Sequence, residues 1–260
     1  MKIATFNING IKARITALPD WLDEATPDVT LLQEIKSVDE TFPREIFEDR
    51  GYQVETHGQK GFNGVAILSK RPLEDIRRGL PGDDGDEQAR WIEATVMGDK
   101  RPVRVCGLYL PNGNPCPGPK FDYKLAWMDR LHARAQALLA LEEPFLMAGD
   151  YNVIPQDEDA RRPEAWREDA LARPESRAAF RRLVTLGFTD AFRARTQGPG
   201  HYSFWDYQAG AWNRDDGIRI DHVLLDPYCA DLLTDCQIDR HVRGHDKPSD
   251  HVPVWVMLDA

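Results

Sequence analysis

No apolar run in this sequence approaches the ~18 residues that a membrane-spanning helix requires. The opening MKIATFNING turns polar too soon for a secretory signal peptide, so the chain reads as cytoplasmic and without a membrane partner. Cysteine is scarce. Cys106, Cys116, Cys229 and Cys236 form no CxxC pair and no zinc-like spacing, which points to idle or buried thiols in a reducing compartment. Fixed-period repeats, low-complexity tracts and linkers rich in Pro, Gly or Ser are also missing, so residues 1–260 read as a single domain. Positive charge is in deficit: 33 Lys and Arg against 43 Asp and Glu give a net charge of −10. A uniformly basic nucleic-acid binder is therefore disfavoured, whereas a local basic face is not, because acidic residues cluster in PGDDGDE at 81–87.

What is present is the material of an ordinary globular core, with 42% hydrophobic residues. KIATFNI, DVTLLQE, GVAILSK, RWIEATVM, VRVCGLYL, IRIDHVLL and HVPVWVML read as strands, and RRGL before the acidic cluster as a further candidate. ARITALPDWLDEA is a helix candidate in which Pro19 is tolerable only near an end or at a kink. The longest helix candidate is KFDYKLAWMDRLHARAQALLALE, with Leu125, Met128, Leu131, Ala135, Leu138 and Leu139 near helical spacing. ESRAAFRRLVTLG is another, closed by Gly187. Strands come in adjacent runs with helices between them, which favours two packed, mostly antiparallel sheets with helices outside.

FLMAGDYNVI, at 145–154, raises a specific problem. Four apolar residues read as a strand buried on both faces or as a short buried helix, yet they run straight into Gly149-Asp150-Tyr151-Asn152. A carboxylate at the end of a buried strand is costly unless something compensates it. If the strand continued, Asp150 and Asn152 would share a face; the bland alternative is a Gly-Asp turn capped by Asn152. Gly149 would allow close backbone approach. Other strand ends repeat the pattern: Asn7 and Asn9, Glu34, Tyr109 and Asn112, Asp221, then Asp250 and His251 ahead of the last strand. Six such ends fit one crevice at an end of a sandwich. Its oxygen ligands suit Mg²⁺, with Mn²⁺ as substitute, and the reaction class is metal-assisted hydrolysis of a phosphate ester.

In this order, FNINGIKAR, LLQEIK, GLYLPNG, AGDYN, RIDH and SDHVPV closely resemble the exonuclease III family of abasic-site endonucleases. The resemblance spans essentially the whole chain. It implies an α/β fold, a four-layer α/β/β/α sandwich, and a hydrolase that cuts duplex DNA 5′ to an abasic site, leaving a 3′-hydroxyl. It further implies 3′→5′ exonuclease and 3′-end-cleaning activity, and a monomer. Carried over by motif, Glu34 is the principal metal ligand, with Asn7 and Asp250 in support. Asp150 orients and deprotonates the attacking water, and Asn152 steers it. His251 contacts the scissile phosphate, held by Asp221, while Tyr109 and Asn112 support the phosphate.

Residue-level alternatives accompany these roles. Asp221 also reads as a buried partner of Arg219, since alternation would put both on one face. His222 reads as structural, and His241 and His245 as surface residues. YSFWDYQAGAWNRDDGIRIDH interleaves aromatics with Arg214 and Arg219, which suits stacking against nucleic acid or, equally, a packed cluster under a loop. The resemblance makes Phe204, Ile218 and Ile220 the lining of a pocket for a baseless sugar and lets Trp212 reach into DNA. Lys120, Lys124, Lys12, Arg14, Arg77 and Arg78 are candidate phosphate contacts. Two competing functions remain at this point. A phosphatase for a small phosphoester or lipid headgroup lacks a use for the aromatic loop. An RNA-binding regulator without nuclease chemistry lacks a reason to retain Glu34, Asp150, Asp221 and Asp250.

Overall fold

Alternating strand residues feed two different apolar layers, and this alternation sets the architecture of the protein, which a computed structural model describes over residues 1–260. In chain order, β1 (Lys2–Asn7), β2 (Val29–Gln33), β3 (Gln53–His57) and β4 (Val65–Ser69) lie in a first sheet. A second sheet holds β5 (Leu73–Arg78), β6 (Trp91–Met97), β7 (Pro102–Tyr109), β8 (Phe145–Asp150), β9 (Thr189–Asp190) and β10 (Asp221–Leu225). Finally β11 (Leu233–Ile238) and β12 (Val254–Leu258) return to the first. The strand orders are β11-β12-β1-β2-β4-β3 and β5-β6-β7-β8-β10-β9. The helices are α1 (Ala17–Ala25), α2 (Arg44–Glu48), α3 (Pro119–Leu139), α4 (Pro174–Val184), α5 (Ala191–Arg195) and α6 (Pro227–Asp231).

Each sheet contains one parallel pair, β1 with β2 and β7 with β8, among antiparallel neighbours. Parallel neighbours need a crossover; α1 supplies it in the first sheet and α3 in the second. Ile3, Val29, Leu31, Val105, Leu146, Ala148 and Val223 point inward and form the seam between the sheets. Their alternates point outward. Ala4, Phe6 and Leu32 pack with Leu18, Trp21 and Leu22 of α1, while Cys106, Met147 and Leu224 pack with Trp127, Leu131 and Phe180 of α3 and α4. Removal of each large side chain from water is worth roughly 1.5–3 kcal/mol. The result is the expected four-layer α/β/β/α sandwich.

The differences from expectation have local causes. The edge strands β3 and β11 escape notice because polar residues make up four of the five in QVETH and half of LTDCQI, as edges tend to. The RRGL candidate is only the end of β5. On α3, Leu125 and Leu139 are only partly buried, whereas Phe121, Lys124 and Trp127 turn inward. Pro19 falls in the first turn of α1, after a separate short turn at Ile11–Arg14, so it disrupts no helical hydrogen bond. Gly149 does permit close approach: a Cβ there would sit 1.9 Å from the Leu108 carbonyl oxygen. All four cysteines are free thiols. No helix is long and apolar enough to cross a membrane.

The acidic cluster at 81–87 is tethered to α3. The Asp86 carboxylate accepts from Arg130 Nη1 at 2.7 Å and from the Tyr123 hydroxyl at 3.0 Å. Arg130 and Tyr123 hold that carboxyl below its usual range against the opposing effect of burial. Asp83, Asp84 and Glu87 remain exposed.

Candidate active site

The apolar seam stops one layer short of the sandwich end. On each central strand the next inward-facing residue is polar: Asn7 after Thr5, Tyr109 after Gly107, Asp150 after Ala148. Register does the rest. Tyr109 lies opposite Asp150, and Asp150 opposite Asp221, so three neighbouring strands present their site residues at one level. On the first sheet Asn7 lies level with Gln33, and a buried Thr5–Gln33 hydrogen bond floors the layer.

One hydrogen-bonded chain links the two sheets. Asn7 Nδ2 donates to Glu34 Oε1 at 2.9 Å and to Asp150 Oδ2 at 3.0 Å. Glu34 Oε2 pairs with Lys36 Nζ at 2.9 Å; Lys36 also donates to Asn9 Oδ1, and Asn9 Nδ2 donates to Asp250 Oδ1 at 3.0 Å. On the other side, His251 Nε2 stands 3.7 Å from Asp150 Oδ2, and His251 Nδ1 bonds Asp221 Oδ2 at 2.8 Å. Asn9, Glu34, Lys36 and Asn152 all adopt positive φ, between 46° and 51°. Left-handed backbone at non-glycine residues costs of order 1–3 kcal/mol each and persists where the surroundings impose it, commonly at functional sites.

Glu34, Tyr109, Asn112, Asp150, Asn152, Phe204, Ile220, Asp250 and His251 line one crevice of about 290 Å³. These nine expected residues therefore converge; Asn7 and Asp221 support them from beneath. Burial pushes the Asp150 carboxyl up, against the pull of His251 and with the push of Asp221, to about 7. Burial disfavours the His251 imidazolium, but Asp221 and Asp150 override it and raise the ring to about 10. Burial also opposes ionisation of Glu34, yet Asn7 and Lys36 hold it below the usual carboxylate range. The Tyr109 hydroxyl is pushed up by burial and by the Glu34 and Asp150 charges.

Four carboxylates thus face two cationic side chains, Lys36 and His251, and the buried Asp221 Oδ1 has no hydrogen-bond donor. This oxygen-rich excess of negative charge suits a hard divalent cation, and Glu34 and Asp250 in the crevice wall, with Asn7 beneath them, are residues that could hold one. Asp150, Asp221 and His251 also approach ligand spacing, although the Asp221–His251 hydrogen bond and full burial fit an acid–base role better.

Several expectations need correction. β8 ends at Asp150, so Asn152 does not share a strand face with it. Nor does Asn152 cap a Gly-Asp turn: its main-chain N–H bonds Asp150 Oδ1 at 2.9 Å, so Asp150 is the capping side chain, and Asn152 Oδ1 accepts from Asn112 Nδ2 at 3.2 Å. Lys124 is not a surface phosphate contact: it is fully buried and donates to the main-chain oxygens of Asn112 (3.0 Å) and Asn152 (2.6 Å). Burial depresses its ammonium to about 7. Arg219 does not pair with Asp221, because β10 begins only at Asp221 and alternation does not extend upstream; it pairs with Asp159 at 2.7 Å and Asp190 at 2.9 Å.

Among the substrate candidates, Ile218 is buried behind Ile220, and Lys120 is exposed away from the crevice lining. Trp205 is fully buried, and Trp212 packs edge-on against it with Arg240 and Arg243 over its ring. Neither Trp212 nor Arg214 lines the crevice; Arg214 turns to Asp216 and the Ala209 carbonyl. Arg77 and Arg78 pair with Asp75 and Glu55. Lys12 and Arg14 line an open depression of about 650 Å³ with Lys247.

Sequence reasoning missed Trp166, Leu171, Asn114 and Asp169, which complete the crevice wall with Phe204 and Ile220. Trp166, Asp169 and Leu171 come from an irregular charged loop, and Asn114 from the Gly- and Pro-rich segment before α3, with no periodicity to mark them. Lys36 was signalled only as the last letter of LLQEIK. Ser203 accepts from the Ile220 and Asp221 amides at 3.1 Å, and Ser249 Oγ donates to the Asn7 carbonyl at 2.8 Å.

The model of the endonuclease/exonuclease/phosphatase family matches residues 4–251. Exodeoxyribonuclease III of Haemophilus influenzae is 37% identical, covering 98% of each chain. An AP endonuclease structure from Archaeoglobus fulgidus superposes with a TM-score of 0.92 at 35% identity over 100% of both chains. A 3′ phosphatase from Neisseria bound to a product DNA hairpin gives a TM-score of 0.95 at 35% identity, again over 100% of both chains.

Proposed function

The chain belongs to the endonuclease/exonuclease/phosphatase family, and on that premise we propose that it is a Mg²⁺-dependent DNA repair nuclease, with Mn²⁺ as substitute. Its substrate is duplex DNA carrying an abasic site or a blocked 3′ end. It hydrolyses the phosphodiester 5′ to the abasic sugar and also trims and cleans 3′ termini. Residues 1–260 act as a single domain, as a monomer in the cytoplasm. The observation that carries the reading is the polar layer closing the seam, where Glu34, Asp150 and His251 meet across two sheets.

The roles follow from the geometry. Asp150, poised near neutrality, accepts a proton from the attacking water, whose oxygen bonds phosphorus as the bond to the upstream 3′-oxygen breaks. That 3′-oxygen takes up a proton from solvent water and leaves as a hydroxyl, and the phosphate stays on the abasic residue. His251, fixed through Nδ1 by Asp221, directs an Nε2–H at a phosphate oxygen. The Asn112 and Asn152 amides and the Tyr109 hydroxyl face the same space and hold the phosphate. A divalent cation held by Glu34, Asn7 and Asp250 would act as Lewis acid toward the charge developing on the phosphate and leaving oxygen. Trp166, Leu171, Phe204 and Ile220 offer apolar walls to a sugar that has no base to hydrogen-bond. Lys12, Arg14 and Lys247 supply a basic rim for flanking phosphates.

A duplex with a single tetrahydrofuran abasic analogue tests the reading. Nicking on its 5′ side is expected with Mg²⁺ and is abolished by EDTA. The same assay with Asp150→Asn should lose about 10²–10⁴-fold in turnover while a gel shift persists. Intact substrate in both Mg²⁺ and Mn²⁺ sinks the proposal.

A further inference from the structure

Away from the crevice, two imidazoles and a carboxylate meet beside the C-terminal end of α1, and His245 also borders the depression that holds Lys12, Arg14 and Lys247. Glu24, in the last turn of α1, accepts from no polar group of its own helix, and its Oε1 lies 2.9 Å from His241 Nε2. His245 stands one turn further along the segment between β11 and β12, its ring centroid 5.5 Å from that of His241. One ligand atom from each of the three lies within 4.8 Å of the other two.

The frame behind these side chains is fixed. Val242, between the two histidines, is buried in the cluster that includes Leu18, Trp21 and Leu22 of α1. Asp239, just upstream, accepts from the Trp21 indole at 2.9 Å and from the Trp255 indole at 2.9 Å. His245 N–H closes the turn on the Val242 carbonyl. The backbones are thus held, while the Glu24 and His241 side chains are about half exposed and free to adjust. An ion bound here would lie about 2.0–2.2 Å from each nitrogen and oxygen.

We propose that Glu24, His241 and His245 form a second metal site, selective for a borderline transition ion of the Zn²⁺ class and distinct from the oxygen-lined crevice. The donor set decides the class: imidazole nitrogen suits Zn²⁺, Ni²⁺ and Cu²⁺, whereas Mg²⁺ demands oxygen. Three protein ligands leave a position open to water, so binding is reversible and the site is not a closed structural one. Its consequence is mechanical. An ion here staples α1 to the segment that carries Arg243, which packs on Tyr207 and Trp212, and that runs on into Ser249, Asp250 and His251.

The test compares the full-length protein with His241→Ala and His245→Ala. Zn²⁺ binding is measured by competition with a chromogenic chelator, so that any ion taken up in the crevice cancels between proteins. The wild type should bind one Zn²⁺ more than either variant, with Glu24→Gln keeping the site but weakening it about tenfold or more. Zn²⁺ should raise the melting temperature of the wild type more than that of the variants, and the extra ion should resist excess Mg²⁺. Glu24→Gln and His241→Ala should nick the abasic duplex in Mg²⁺ as the wild type does, which separates this site from the nuclease. Equal Zn²⁺ stoichiometry and affinity in wild type and both alanine variants would overturn the proposal, as would displacement of the extra ion by Mg²⁺.

Discussion

His222 and His251 border the same strand from opposite faces. His222 sits on the outer face of β10; His251 bonds Asp221 on the inner face. Their burial is almost the same, at 1% and 4% exposure. In both cases burial disfavours the charged ring, yet one is driven down to about 4 and the other up to about 10. The neighbours make the difference. His222 Nδ1 meets the Arg219 guanidinium at 3.0 Å and its Nε2 meets the Val153 carbonyl at 3.0 Å, so a neutral ring wedges a cation and an acceptor apart. His251 meets two carboxylates and no cation. Desolvation sets the scale of a buried titration, and the sign comes from the partners. One histidine becomes structural and the other a standing positive charge in the crevice wall.

The harshest way to break this contrast is to change the company of His251. Asp221→Asn removes the carboxylate that stabilises the imidazolium and the preferred tautomer. Turnover should fall about 10²–10⁴-fold, and the His251 ring should titrate nearer neutrality by NMR. In the wild type the charged ring contributes stability that is complete below about pH 6.5 and lost as pH rises through about 10; the variant should lack that alkaline decline. A ring that stays charged in Asp221→Asn would mean Asp150 alone suffices.

Arg219→Met attacks the other histidine. It strands Asp159 and Asp190 without their shared cation, at a cost of about 3–5 kcal/mol, read by urea denaturation. Turnover per folded molecule should change little, because Arg219 touches nothing in the crevice. Equal losses in stability and turnover would show that the two clusters are not independent.

His222→Asn sharpens the contrast through pH. The native ring titrates near 4, below its free value of about 6.5. Between these limits the unfolded chain binds a proton that the native state refuses, so native stability is lost as pH falls through this window. Wild type should therefore lose up to about 3 kcal/mol more than the variant between about pH 7 and about pH 4. Parallel curves for the two proteins would dispose of the neutral-wedge account.

Lys124→Met has the smallest expected effect. Lys124 ties the Asn112 and Asn152 carbonyls together from below, so its loss should lower kcat about tenfold through misplacement of those amides, with little change in KM. A rise in KM with unchanged kcat would return Lys124 to the role of DNA contact.

Legibility followed the same division. The residues of the polar layer were readable because each breaks an apolar alternation at a strand end: Asn7, Tyr109, Asp150 and Asp221 stand where Ile, Val or Leu would continue the seam. Partners were less readable. Arg219 was matched to Asp221 by a strand rule that does not reach it, two residues before the strand begins, while its true partners lie far away in sequence at Asp159 and Asp190. Lys124 looked like surface because lysine usually is, and only the loop folded over it converts it to a buried strut. Trp166 and Leu171 carried no signal, since irregular loops place side chains by tertiary contact alone. Trp205 showed the converse: an aromatic that composition offered to nucleic acid is spent on packing against Tyr202 and Trp212.

The Asn7 side-chain nitrogen bonds Glu34 beside one sheet and Asp150 on the other. A single amide thereby spans the joint between two independently built slabs, and it works as a gauge of their spacing. Any distant substitution that lets the slabs slide by a fraction of an ångström will detune this contact long before the fold gives way. Catalysis should consequently be the most sensitive reporter of misfit anywhere along the interior, and variants selected for turnover should keep that interior's volume constant.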